Sequence, residues 1–139
     1  MTSLAAAATF TWLGMVLAIS FMEAPLKFRA PGVTIPLGLG IGRLVFRALN
    51  AAETVLAVMV VAGLLLGDPS TTGAVALAVA IVTLAAQLAL VRPRLTRRSD
   101  RILAGEEAPR SHAHHAYIAL EAVKVIALVT GGAAVLAAS

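Results

Sequence analysis

The chain has 139 residues, 60% of them hydrophobic and only 13% charged, with a mean hydropathy of +0.93. A water-soluble domain of this size keeps too much of its surface wet to bury so much apolar side chain, so the composition excludes an ordinary soluble fold and points to a membrane protein. The absence of Cys removes disulfides, thiolate metal sites and cysteine nucleophiles, leaving three His and seven acids for chemistry.

Four stretches reach the length of about 20 apolar residues that a helix needs to cross a bilayer. The first covers residues 4–22, with Thr9, Thr11 and Ser20 as its polar interruptions. No basic residue precedes it, so it reads as a retained helix rather than a signal peptide. Residues 24–42 follow, with prolines at 25, 31 and 36 and glycines at 38, 40 and 42. Proline removes a backbone donor, so this segment is expected to interrupt the helices and lie in the interface. Its Gly-x-Gly-x-Gly run next to Arg43 has two readings: close helix packing or a hinge, and backbone contact with an anion.

The second span covers residues 40–67 and carries Asn50 and Glu53. A tight turn at Gly67-Asp68-Pro69-Ser70 leads to the third span, residues 70–91, which holds Gln87 near its end. Pro93 is expected to stop that helix, Arg97 to Arg101 to form a short surface helix, and Glu106-Glu107-Ala108-Pro109 to turn. The fourth span covers residues 116–138 and contains Glu121 and Lys124. None of these runs alternates with period two, so a β-barrel is excluded. The expected fold is all-α: one domain of four transmembrane helices in an antiparallel bundle.

Ten of the eleven basic residues lie in or beside two connections, residues 23–39 and 92–115, whereas the middle turn has Asp68 and no cation. By the positive-inside rule those two loops are cytoplasmic and both termini are outside. The net charge of +4 therefore reports topology and contact with anionic lipid, and no nucleic-acid partner is expected.

Charges within the spans are the candidate site. Glu53 lies about 15 Å along the second helix from Arg43, where an ionised side chain costs about 2.5–3.5 kcal/mol on insertion scales. Arg43, Arg47 and Asn50 form a stripe at spacings of four and three, and Asn50 shares a face with Glu53. On the fourth helix His114, Tyr117, Glu121 and Lys124 repeat at three, four and three. Each stripe has two readings. Glu53 locks the bundle or serves a site; Glu121 and Lys124 pair within their own helix, or Lys124 snorkels, or both line a wet groove. Gln87 completes a polar cavity or joins helices. Glu23 is expected to form an interfacial salt bridge with Lys27 or Arg29. His114 and His115, with Glu121 or Glu53, offer nitrogen and oxygen ligands to a divalent metal, although His-x-His-His beside a loop is also ordinary surface histidine.

Two resemblances follow from particular residues. Ser20-Phe21-Met22-Glu23-Ala24-Pro25-Leu26-Lys27-Phe28, Gly40-Ile41-Gly42-Arg43-Leu44-Val45-Phe46 and the Arg92-Pro93-Arg94 loop resemble a widespread four-helix membrane family of unknown function. That family includes a human transmembrane protein linked to cisplatin resistance. Separately, Arg47-Ala48-Leu49-Asn50-Ala51-Ala52-Glu53 is similar to the Arg-x-x-Asn-x-x-Glu element of the membrane-associated eicosanoid and glutathione metabolism family. That likeness implies a trimer in which Arg47, Asn50 and Glu53 help hold glutathione at a subunit interface.

These readings converge on a small oligomeric protein of the inner cell membrane. It binds or transports a small polar solute or ion through a cytoplasm-facing cavity between helices 2 and 4. The alternatives are a glutathione-binding membrane enzyme and an accessory protein whose inner charges only specify assembly. No nucleophile–base pair is present, which ranks the enzyme lower. No residue pattern names a cofactor.

Overall fold

The computed structural model describes residues 2–106 and 112–138, and among these no strand occurs. Four helices are long and apolar enough to cross a membrane. Helix α1 is the helical run Thr2–Arg29, α2 is Ile35–Leu66, α3 is the run Thr71–Leu103, and α4 is His112–Ala137. Helix α1 packs along both α2 and α4, and α3 packs along α4. The contact between α2 and α3 comes mostly from residues after Val91.

Small and aliphatic side chains fill the shared core, among them Ala5, Ala8, Val60, Leu77, Ala80, Leu128 and Val135. The outer faces are equally apolar, with Leu44, Leu90, Ile126 and Leu65 exposed, the last at 79%. A surface of that kind matches hydrocarbon rather than water.

The helices are longer than their apolar stretches. At about 1.5 Å per residue, the 32 residues of α2 reach about 48 Å, well beyond a hydrocarbon core of about 30 Å. Helix α2, expected to begin near Gly40, begins at Ile35. Thr34 caps it by accepting a hydrogen bond from the Leu37 amide at 3.3 Å, and Pro36 sits where the missing N–H costs nothing. The glycines at 38, 40 and 42 continue the helix instead of loosening it.

The expected loop over residues 23–39 shrinks to 30–34, because α1 runs through Pro25 to Arg29. Likewise Pro93 does not stop α3, which continues to Leu103 and takes up much of the loop expected over 92–115. The same device explains both. A π-helical stretch precedes each proline, Leu17–Glu23 before Pro25 and Gln87–Val91 before Pro93. In these turns the Ala24 amide bonds to the Ile19 carbonyl and the Arg92 amide to that of Gln87. The widened turn relieves the clash between a proline ring and the carbonyl four residues back.

Helix α3 closes on a glycine. Gly105 adopts φ 89°, its amide bonds to the Ile102 carbonyl, and the Glu106 amide bonds to Arg101, each at 3.0 Å. This is a Schellman cap, which favours glycine at that position. Glu107 to Pro109 of the expected turn, Arg110, and the side chain of His112 lie outside the described residues.

Candidate functional site

The two π-helical turns bring polar side chains to one level of the molecule. Ser20 in the first and Gln87 in the second both bond to Glu121 of α4, at 2.5 and 3.1 Å. Lys124, one turn further along α4, donates to three oxygens. Glu53 Oε2 and Glu121 Oε1 lie at 2.6 Å, and Gln87 Oε1 at 2.7 Å. An ammonium has three N–H groups, so none is left for solvent. Trp12 of α1 adds its indole N–H to Glu53 Oε2 at 2.8 Å. All four helices thus meet in one ionic cluster, in which Glu53 and Lys124 are 0% exposed. Two carboxylates share one ammonium, and Glu53 Oε1 has no hydrogen-bond partner.

Above this cluster, toward the arginine-rich end, a cavity of about 640 Å³ opens among all four helices. That volume is within the range of small-molecule sites. Its wall carries Lys27, Arg43, Arg47, Arg92 and Arg98, against which Glu121 is the single carboxylate among the described residues. Aromatic rings hold two of these cations in place. The Arg92 guanidinium lies 5.1 Å from the centre of the Phe46 ring and 4.7 Å from that of Tyr117. Lys27 lies 5.7 Å from Phe46. The rings of Phe46 and Tyr117 themselves meet edge to face at 5.9 Å. Such contacts orient a cation without neutralising it. Outside the wall, Arg43 pairs with Asp100 at 2.7 Å, tying the start of α2 to the last turns of α3.

The sequence stripes separate into these two levels. Arg43, Arg47 and Asn50 all line the cavity, as do His114, Tyr117 and Glu121. Glu53, Gln87 and Lys124 do not; they form the sealed layer beneath. The expected groove between helices 2 and 4 alone is therefore corrected on two points: α1 and α3 also build the wall, and the open part ends at Glu121. Lys124 does not snorkel, because it is fully buried with an acceptor for each of its N–H groups. Its pairing with Glu121 within α4 and its bridge to Glu53 both occur. Gln87 joins α3 to α4 instead of facing the cavity. Glu23 reaches Lys27 only at 3.9 Å.

The rings of His114 and His115 lie 5.8 Å apart. Among the described residues no group of three or more His, Asp or Glu is placed to hold a metal. Sequence reasoning missed Trp12 and Ser20. A buried indole N–H in hydrocarbon needs an acceptor, and that requirement was the available signal. It also missed Arg92, whose ring partners come from two other helices. The chain was compared with protein-family models, curated proteins and solved structures, and no match was found in any of the three.

Proposed function

We propose that the protein is a multi-pass protein of the inner cell membrane that binds a small anionic solute in the cation-walled cavity. The helices form an antiparallel bundle with both termini outside, so the cavity faces the cytoplasm. Binding is the first step of transport or delivery. The observation that carries this reading is the excess of cations at the cavity wall. With Arg43 paired to Asp100 and Lys27 near Glu23, Arg47 and Arg92 still line it, and the charge of Glu121 is taken up by Lys124. A concave site of one sign concentrates ions of the other.

The sealed ionic layer supports a closed state. One chain offers no continuous path past Glu53, Lys124 and Glu121, so movement across the membrane requires opening of that layer or a path between subunits of a homo-oligomer. The chain's many alanines and glycines favour such close association.

Thermal stabilisation of protein purified in nonionic detergent tests the reading, since a ligand of the native state raises stability by mass action. Inorganic phosphate should stabilise the protein. The double variant Arg43→Gln, Arg47→Gln should need about tenfold more of it, with a response that shrinks as salt rises. Stabilisation by glutathione alone would favour the enzyme reading built on Arg47 and Asn50. Stabilisation by divalent metal alone, or by nothing, would overturn the anion site.

A further inference from the structure

Within the cavity wall, three donors stand apart. Arg92 Nε and Nη2 and the Tyr117 hydroxyl are buried without a well-aligned hydrogen-bond partner, the hydroxyl lying beside the Arg92 guanidinium. Nε and Nη2 share one edge of the guanidinium, the edge that binds two oxygens of a phosphate or carboxylate side by side. The guanidinium is already fixed over Phe46 and Tyr117, and Tyr117 is anchored by its place on α4 beside Glu121. Buried donors held rigidly without a protein acceptor are ready to be completed by the oxygens of a ligand. Around them the wall turns apolar, with Phe21, Phe28, Leu39, Leu95 and Ile118 lining the same cavity.

We infer that Arg92 and Tyr117 form a clamp for the oxyanion of an amphiphile: a phosphate-type head on the clamp, with an alkyl or acyl substituent against the phenylalanine and leucine wall. This rests on the anion-binding reading above and names its substrate class. The shared chemistry is a phosphate ester bearing an apolar chain, supplied either by a lipid of the cytoplasmic leaflet or by a soluble alkyl phosphate. Arg43 and Arg47 draw the anion in; Arg92 and Tyr117 recognise its oxygens.

Binding to the purified full-length protein in nonionic detergent, measured with hexyl phosphate and with inorganic phosphate, tests the clamp. The wild type should bind hexyl phosphate at least about tenfold more tightly, because a chain of this length adds buried methylenes. Arg92→Lys keeps the charge but not the fork and should weaken hexyl phosphate about tenfold, while Tyr117→Phe should weaken it by about three- to tenfold. Arg94→Gln, exposed on the same helix, should leave binding unchanged. If Arg92→Lys does not give monodisperse protein, Tyr117→Phe decides.

Nanodiscs separate the sources. Stabilisation in phosphatidic acid over phosphatidylcholine, lost in Tyr117→Phe, assigns the lipid; stabilisation by hexyl phosphate alone assigns the soluble ester. Equal affinity for the two phosphates overturns the amphiphile. Unchanged binding in both clamp variants, with weaker binding in Arg43→Gln, Arg47→Gln, overturns the clamp and leaves the anion cavity standing. If no anion binds at all, the cavity reading falls too.

Discussion

The two ends of the bundle are built on opposite principles. Toward the Gly67 turn the helices are regular, and Ala5, Val60, Leu77, Leu128 and Val135 pack without a charged group among them. Buried glycines such as Gly73 and Gly131 let the helices approach closely there. Toward the arginine-rich end the same helices widen into π turns, separate around a cavity and exchange hydrogen bonds through Ser20, Gln87, Glu121 and Lys124. One end is held by shape, the other by polar satisfaction. The difference shows where each kind of substitution should hurt.

The largest effect belongs to the polar layer. Lys124→Met leaves Glu53 and Glu121 buried without their shared cation, and removing one partner of a buried pair costs about 3–5 kcal/mol. Denaturant unfolding in detergent should register that loss, and adding Glu53→Gln should recover part of it, because the second change removes one stranded carboxylate. Equal and additive losses would mean the two side chains do not act together.

A smaller effect is expected in the dry half. A Cβ on Gly131 would lie 2.6 Å from Leu77 Cδ2, so Gly131→Ala should cost about 1–3 kcal/mol by overpacking. Anion binding in this variant should match the wild type, since the cavity is at the other end. The smallest effect is at the rim. Asp100→Asn breaks the half-exposed pair with Arg43 and should cost less than about 1 kcal/mol, a loss that fades as salt rises.

The helical stripes were legible because spacing alone fixes which residues share a face. Arg43, Arg47 and Asn50 do line one wall, and His114, Tyr117 and Glu121 another. Spacing does not say how far each helix is rotated toward its neighbours. For that reason Lys124, on the same stripe, could be read as wet when it is sealed. Trp12 and Glu53 are 41 positions apart, and only packing brings them together. Helix ends were misread for a local reason. Pro25 and Pro93 look like stops, but a single widened turn before each one removes the clash, and composition does not announce that turn.

Because the chain has no cysteine, single-cysteine variants probe both levels directly. Asn50→Cys, in the cavity wall, should react about tenfold faster with an anionic water-soluble thiosulfonate than with a cationic one of similar size. Hexyl phosphate should protect it, and Ala57→Cys, in the dry core, should not react. An Asn50→Cys thiol that prefers the cationic reagent, or an Ala57→Cys thiol labelled at the same rate, would contradict a cation-walled cavity closed from below.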